Sequence, residues 1–269
     1  MRPDRVTTNR ITSVTNPRVK EVGRLRDRKA RAQGGVTIVE GVREIAQAME
    51  AKLAFKEIYV CRELLGSSGQ DINYTSLKIP VYETTKPVFL KMSYGNRAEG
   101  VLGLCIPPSA SFNDFSGKEG LLILIVEAVE KPGNLGAILR TCDGAGVDGV
   151  IICDGRTDIF NPNVIRASLG TVFSVPVVTA TNKEALAYCR EKGLKICATA
   201  PGAAAIYSKT KLNQAMAVVV GSEEKGLSDF WNGHADIKVR IPMRGRADSL
   251  NVAASTAILL YEIIRQRTA

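Results

Sequence analysis

The sequence predicts an α/β protein whose second half forms a mainly parallel sheet covered by helices on both faces. Two observations predict this class: short apolar runs alternate with helical segments, and polar residues with glycines follow several of the runs directly. The predicted strands lie at about Leu121–Val126, Gly149–Cys153, Val175–Val178, Leu194–Ala198, Ala217–Gly221 and Ile237–Ile241. The predicted helices begin near Asn134, Asn161, Lys183, Ser228 and Ser249, and the last continues over Val252–Arg265.

A smaller α/β domain is predicted in front of this sheet. Turn-forming residues replace periodic apolar residues in Pro107–Gly117, which is therefore the best linker. We expect an N-terminal domain at residues 1–107, a linker at 108–119 and a second domain at 120–269. The elements predicted for the N-terminal domain are strands at Val36–Glu40, Lys56–Cys61, Pro80–Tyr82 and Val101–Ile106, and helices at Val42–Ala51 and Lys86–Met92.

Composition narrows the class of protein. The chain has 269 residues and 45% apolar content, enough for two well-cored domains. It has no apolar run near the roughly 18 residues of a membrane-spanning helix and no secretory signal pattern, so we expect a soluble cytoplasmic protein that does not bind a membrane. The six cysteines form no C-x-x-C pair, which favours buried free thiols over disulfides or a metal site.

Positive charge is concentrated at the N-terminus. Residues 2–31 carry ten basic side chains against three acidic ones, a local balance of +7 within a net charge of +9. Such a stripe beside a nearly neutral body is typical of a polyanion binder, although a solvated amphipathic helix with Val19, Val22 and Leu25 on its apolar side is the alternative. The RNA-binding residues predicted here are Arg18, Lys20, Arg24, Arg28, Lys29 and Arg31.

Three strand ends carry the residues that point to chemistry. The first apolar run is followed by a Pro-Gly turn with Asn134, Gly136 and Arg140. The run that ends at Val220 continues into the segment Gly-Ser-Glu-Glu-Lys-Gly, and the last run ends in Ile-Pro-Met before Ser-Leu-Asn-Val-Ala. Because open α/β sheets bind ligands at the carboxyl ends of their strands, these segments predict one shared site.

The order N-x-G-x-x-x-R, then G-S-E-x-x-G, then I-P-M with S-L-N-V-A resembles the three motifs of the SpoU (TrmH-like) family of RNA ribose 2'-O-methyltransferases, over roughly residues 120 to 266. The resemblance implies a SPOUT-like catalytic domain with a C-terminal trefoil knot, one of the rare exceptions to unknotted topology. It also implies an L30e-like substrate-binding domain, of which residues 16–20 and 39–43 resemble pieces. One departure is Lys131, where many relatives carry Asp before the proline.

By the same resemblance, S-adenosylmethionine (AdoMet) donates the methyl group and no metal is required. The residues implied to act on the substrate are Arg140, Asn134, Glu223, Ser249 and Asn251. Arg140 acts either as the base or by organising a phosphate, and physics favours the second role because a guanidinium stays protonated. An ion pair of Arg140 with Glu130 or Asp143 is the structural alternative.

Helix capping is the competing role for Asn134, Ser249 and Asn251. Glu223 is expected to orient Arg140 or Asn134, or simply to favour a helix start through the macrodipole. The single histidine, His234, follows a probable helix end, where a capping or solvated ring is more common than a general base.

Backbone at three strand ends, with apolar side chains beside it, is expected to hold AdoMet. The cofactor-binding residues are Thr199, Ala200, Gly221, Ser222, Ile241, Met243 and Leu250. The absence of G-x-G-x-x-G after the first strand argues against NAD.

The first hypothesis is therefore an AdoMet-dependent RNA ribose 2'-O-methyltransferase that acts on rRNA, with tRNA second. The alternatives are a non-catalytic RNA-binding protein of the same fold and a methyltransferase directed at a base. Relatives build their site across a homodimer of C-terminal domains, and the apolar side of the final helix would serve as the interface or pack on its own sheet.

Overall fold

The computed structural model describes residues 9–66, 74, 78–95, 98–115, 120–155, 157–222 and 224–268. The chain forms two compact units. The first comprises the residues up to Pro108 together with Phe160–Phe173, and the second comprises Ser109–Ile159 together with Ser174 onward. No helix among the described residues is long and apolar enough to cross a membrane.

The first unit is built on a mixed five-stranded sheet of order β1-β4-β3-β5-β2. Its strands are β1 (Asn9–Ile11), β2 (Thr37–Glu40), β3 (Phe55–Val60), β4 (Val81–Thr84) and β5 (Val101–Cys105). Strand β4 runs parallel to β1 and β3, whereas β5 is antiparallel to β3 and β2. The helices of this unit that precede residue 108 are α1 (Pro17–Arg24), α2 (Arg28–Gly34), α3 (Val42–Glu50) and α4 (Lys86–Met92).

The basic stripe folds as two short helices. Asn16 caps α1 by accepting a hydrogen bond from the backbone N–H of Arg18, and Asp27 caps α2 in the same way. The apolar residues Val19, Val22 and Leu25 are buried, as the amphipathic pattern predicts. Strand β1 and the break at Asp27 were not predicted, because β1 is only three residues long.

The second unit contains a seven-stranded sheet of order β10-β12-β9-β11-β6-β7-β8, in which every neighbouring pair is parallel. The parallel arrangement predicted from the sequence is therefore confirmed. Its strands are β6 (Leu122–Glu127), β7 (Gly149–Cys153), β8 (Val177–Ala180), β9 (Lys195–Thr199), β10 (Ala205–Ile206), β11 (Met216–Val220) and β12 (Ile237–Arg240). The helices between Pro132 and the C-terminus are α5 (Pro132–Gly144), α6 (Pro162–Ala167), α7 (Asn182–Glu191), α8 (Asp229–His234) and α9 (Val252–Thr268).

Helix α6 belongs to the first unit, although the boundary predicted at residue 120 assigns it to the second domain. The Arg166 guanidinium lies 3.7 Å from the buried carboxylate of Glu40, and the Thr37 hydroxyl donates to the carbonyl of Phe160 over 2.6 Å. Gly170, with φ +85°, packs against α3 where a Cβ would crowd Gln47. The alternation of predicted helices and strands does not indicate that residues 160–173 join the first unit.

Residues 108–115, the described part of the predicted linker at 108–119, pack against the apolar core of the second unit. Phe112 stacks on Tyr188 with ring centroids 4.8 Å apart, and Phe115 meets the same ring edge-on at 5.5 Å. A Cβ at Gly149 would overlap the ring of Phe115, so this position requires glycine. The turn-forming residues that suggested a linker instead deliver two aromatic rings to the core.

All six cysteines are free and buried, as predicted. Burial raises the pKa of the Cys153 and Cys197 thiols to about 12, which leaves them unreactive at neutral pH. Among the described residues, no cluster of three or more histidine, cysteine, aspartate or glutamate side chains could hold a metal ion.

Candidate functional site

A cavity of about 380 Å³ lies at the carboxyl ends of the neighbouring strands β9, β11 and β12. The loops after these strands form its walls. It is lined by Thr199, Ala200, Pro201, Val220, Gly221, Ser222, Glu224, Lys225, Gly226, Val239, Arg240, Ile241, Met243, Asp248, Ser249, Leu250, Val252 and Ser255. Its volume is within the usual range for small-molecule and cofactor sites.

All seven residues predicted to bind the cofactor line this first cavity. Thr199 and Ala200 follow β9, Gly221 and Ser222 follow β11, and the remaining three come from the loop after β12. Sequence reasoning missed several of the other lining residues, among them Lys225 and Asp248. Only their positions in the sequence could have indicated them: Lys225 lies within the segment Gly-Ser-Glu-Glu-Lys-Gly, and Asp248 directly precedes the predicted Ser249.

The segment of residues 221–228 between β11 and α8, here the β11 loop, is shaped by its glycines. A Cβ at Gly221 would overlap the carbonyl of Gly226, and Gly226 itself has φ +66°. The Gly226 N–H donates to the carbonyl of Ser222 at 2.9 Å, and the Lys225 N–H donates to the Ser222 hydroxyl at 3.2 Å. The loop therefore folds back on itself and exposes backbone to the cavity. Glu223 lies outside the described residues.

A second cavity of about 190 Å³ adjoins the first at the start of α5. It shares the wall residues Ser222, Glu224, Lys225 and Val252 with the first cavity. Its other lining residues are Ala128, Val129, Glu130, Lys131 and Asn134. A molecule in either cavity would therefore lie next to a molecule in the other.

Asn134 and Asn251 meet beside the second cavity. The Asn251 side-chain amide donates to the Asn134 side-chain oxygen at 3.1 Å, while the Asn251 oxygen accepts from the backbone N–H of Ala253 at 3.0 Å. Asn251 thus caps α9 and contacts Asn134 at once. The alternative role predicted for Asn134, helix capping, is wrong, because α5 begins at Pro132 and Lys131 occupies the N-cap position.

Ser249 lines the first cavity and is exposed, two residues before the residue that caps α9. Of the predicted catalytic residues, Ser249 therefore lines the first cavity, Asn134 lines the second, and Asn251 contacts Asn134.

Arg140 lies elsewhere. It is exposed on α5, about 240° around the helix from Asn134, and lines neither cavity. Its side chain makes no hydrogen bond or ion pair with another described residue, so the predicted alternative of a pair with Glu130 or Asp143 is wrong within that part of the chain. Asp143 instead accepts from the Ser174 hydroxyl at 2.9 Å.

His234 lines neither cavity. Its Nδ1 lies 2.8 Å from the carbonyl of Phe230, and its ring tilts against the Phe230 ring at 4.5 Å. The geometry matches the expected local role at the end of α8.

The predicted RNA-binding residues lie on the first unit and divide into two groups. Arg31 does not fit the prediction, because it is only 5% exposed. Its guanidinium donates to the carbonyls of Leu25 at 2.7 Å and Arg26 at 2.9 Å, so it stabilises the fold instead of facing a ligand. Arg18 forms an ion pair with Glu57 and lies 4.7 Å from the centroid of the Tyr82 ring. The exposed members are Arg18, Lys20, Arg24, Arg28 and Lys29.

A parallel sheet whose central strand ends form a cavity defines the second unit as an α/β ligand-binding domain. Residues 121–261 match the SpoU rRNA Methylase family, and residues 16–103 match the MRM3-like substrate binding domain. The chain belongs to the SpoU rRNA methylase family, which confirms the resemblance inferred from the three motifs.

Similar proteins cover almost the whole chain. A 23S rRNA (adenosine(1067)-2'-O)-methyltransferase of Streptomyces azureus is 30% identical, and the match covers 96% of this chain and 98% of the relative. A crystal structure of an RNA 2'-O ribose methyltransferase has 38% identity and a TM-score of 0.86, covering 97% of this chain and all of that one (100%). An AdoMet-bound rRNA methyltransferase from Sinorhizobium meliloti has 28% identity and a TM-score of 0.86, covering 96% and 98%.

Proposed function

We propose that this chain is an AdoMet-dependent methyltransferase that methylates a ribose 2'-hydroxyl in ribosomal RNA, with tRNA as the second candidate substrate. The observation that carries the proposal is the meeting of three family motifs at two adjoining cavities. Family membership supports the reaction, and the AdoMet-bound relative supports the cofactor. The site of action would be the cytoplasm, where such RNA is found.

The first cavity is the proposed AdoMet site. Ile241, Met243 and Leu250 offer apolar surface for an adenine ring, while backbone groups at Thr199 and Gly221 offer hydrogen bonds to its edge. The sulfonium of AdoMet is already an activated leaving group, so the protein's task is to hold the methyl group in line with the acceptor oxygen. Such positioning can supply several kcal/mol of the barrier.

The second cavity is the proposed acceptor site. It adjoins the first through Ser222 and Lys225, and the Asn134 amide and the Lys131 ammonium offer donors to a ribose or phosphate oxygen. Lys131 stands at the N-cap of α5, where a cation is disfavoured by the helix dipole. An anionic substrate in this cavity would offset that local repulsion.

We propose further that two chains share the site. Arg140 is exposed and lines neither cavity of its own chain, and its helix α5 packs against α9. Tyr261 on α9 is 53% exposed, and its hydroxyl would lie 3.1 Å from a Cβ at Gly144 on α5. A second copy placed on this surface would cover Tyr261 and carry Arg140 to the acceptor site of its partner, where the guanidinium would organise a phosphate.

Two finer features of the fold belong to the same proposal. The C-terminal trefoil knot is supported by α9, whose Gln266 accepts from the N–H of Leu212 at 2.7 Å and donates to the carbonyl of Thr210 at 2.9 Å, ahead of β11. The L30e-like character of the first unit is supported by its mixed sheet and flanking helices.

The test is methyl transfer from labelled AdoMet to purified rRNA and tRNA, followed by alkaline hydrolysis. A 2'-O-methyl group removes the hydroxyl that alkali needs, so the labelled linkage should resist cleavage. A label in alkali-sensitive nucleotides would favour the base-directed alternative. RNA binding without any calorimetric signal for AdoMet would favour the non-catalytic one.

A further inference from the structure

A buried acidic residue outside both cavities holds the far end of the β11 loop. Glu127 is the last residue of β6, an interior strand of the parallel sheet, and is only 3% exposed. Its carboxylate accepts from the Ser228 N–H at 2.8 Å and from the Ser228 hydroxyl at 2.7 Å. Ser228 immediately precedes α8, and its hydroxyl bonds Glu127 instead of capping that helix.

The same carboxylate belongs to a satisfied network in the second unit. The Asn182 side-chain amide donates to Glu127 at 2.9 Å, and the Asn182 oxygen accepts from the indole N–H of the fully buried Trp231 at 2.8 Å. Glu127 therefore joins the start of α7 to Ser228, and through Asn182 it is linked to Trp231 within α8. A buried carboxylate that loses such donors leaves unpaired polar groups behind.

Among its described residues, the β11 loop has few other hydrogen bonds, and Leu227 at its far end packs against the apolar core of the second unit. Its near end is fixed by β11, and between Gly221 and Leu227 the described bonds are the two to Ser222 and one from the Asn232 amide to the carbonyl of Leu227 at 3.1 Å. Five residues of this loop line the first cavity, namely Gly221, Ser222, Glu224, Lys225 and Gly226. The position of that wall consequently depends on two neighbouring anchors at the far end of the loop, the packing of Leu227 and the bonds of Ser228 to Glu127.

We infer that Glu127 is a positioning residue for AdoMet binding, acting through Ser228 to hold the β11 loop against the first cavity. It lines neither cavity, so its loss should weaken cofactor affinity without removing a group that contacts the cofactor or the substrate. This inference rests on the proposed placement of AdoMet.

The test compares Glu127→Gln with a matched control, Glu40→Gln. Glu40 is also a buried glutamate at the end of a strand, and it likewise accepts from a serine hydroxyl and a backbone N–H, those of Ser93 and Tyr94. It lies in the first unit and lines neither cavity. Both variants should lose thermal stability because an amide N–H₂ is turned toward a donor, and Glu40→Gln should lose more because it also removes the ion pair with Arg166.

Only Glu127→Gln should weaken AdoMet binding in calorimetry, by roughly tenfold to a hundredfold, the range of a lost hydrogen bond to a charged group. At saturating AdoMet its kcat should recover to within a few-fold of the wild-type value. An AdoMet Kd of Glu127→Gln within about twofold of wild type would overturn the inference.

Two additional variants separate a failure of this inference from a failure to fold or a failure of the proposed cofactor site. If Glu127→Gln does not fold, Ser228→Ala decides: a Kd several-fold weaker supports the inference, and an unchanged Kd overturns it. Leu250→Asp places a charge in the first cavity from a different strand end. If this variant binds AdoMet as well as the wild type does, the proposed cofactor site fails rather than the role of Glu127.

Discussion

The Asn251 amide donates to the Asn134 side-chain oxygen at 3.1 Å, and this bond joins the start of the last helix to the first turn of α5. The two residues are 117 positions apart in the chain. The bond therefore fixes Asn134, which lines the second cavity, relative to Asn251, which caps α9.

Replacing Asn251 should separate its two roles. Asn251→Asp keeps the oxygen that caps α9 and loses the donor to Asn134, so we expect methyl transfer to fall while the melting temperature is retained. Asn251→Ala loses both, with an additional loss of roughly 0.5–2 kcal/mol in unfolding free energy. Equal activity of Asn251→Asp and wild type would show that the bond to Asn134 is not needed.

Arg140→Ala should reduce methyl transfer by at least about a hundredfold, because a misplaced acceptor loses the positioning on which the reaction depends. RNA and AdoMet binding should change little. Mixing this variant with the cofactor-site variant Leu250→Asp tests the shared site, since a mixed dimer would contain one intact site. Failure of the mixture to recover any activity would count against two chains sharing it.

Lys131→Asp should change stability and RNA affinity in opposite directions. An acidic residue at the N-cap of α5 favours the helix, so we expect the melting temperature to rise by about one to a few degrees. Loss of the ammonium should weaken RNA binding and reduce the slope of log affinity against log salt by about 0.7 for each phosphate that is no longer neutralised. An unaltered salt slope would remove Lys131 from the acceptor site.

Arg31 and Lys29 form a matched pair on the basic helices. Arg31→Ala should lower the unfolding free energy by roughly 1–3 kcal/mol, because the buried carbonyls of Leu25 and Arg26 lose their donor. Lys29→Ala should leave stability unchanged and reduce RNA affinity at low salt. Thermal melts and filter binding at several salt concentrations would measure the two effects. A loss of stability in Lys29→Ala, with Arg31→Ala as stable as the wild type, would contradict these roles.

Glu262 predicts acid sensitivity of α9. Hydrogen bonds from Arg265 and Gln266 lower the pKa of Glu262 to about 2, below its ordinary value of 4.5. The stabilisation is therefore complete above about pH 5 and is lost as the pH falls toward 2. Glu262→Gln should melt below wild type at pH 7, and the gap should close in acid. Glu191→Gln, at an exposed glutamate on α7, should show no gap at any pH.

Much of the fold could be predicted because its signals are local. Largely apolar or alternating runs of four to six residues predicted the six longer strands of the parallel sheet, whereas the two-residue β10 and the three-residue β1 are too short to show a pattern. Much of the lining of the first cavity was predictable because those residues follow directly after the strands.

The remaining parts depend on contacts between residues distant in sequence. Arg31 resembles its exposed neighbours in a charge count, and only the folded helices reveal the carbonyls that it bonds. Arg140 and Asn134 share one motif but point to different sides of α5. The role of Glu127 depends on Ser228, 101 residues later.

The chain passes between its two units three times, after Pro108, after Ile159 and after Phe173. During synthesis, the first unit must therefore wait for residues up to Phe173 to leave the ribosome before Arg166 can reach Glu40. By then β6 and β7 have already emerged. The two units thus cannot mature strictly in sequence, and a fragment cut at Pro108 would lack a piece of its own structure.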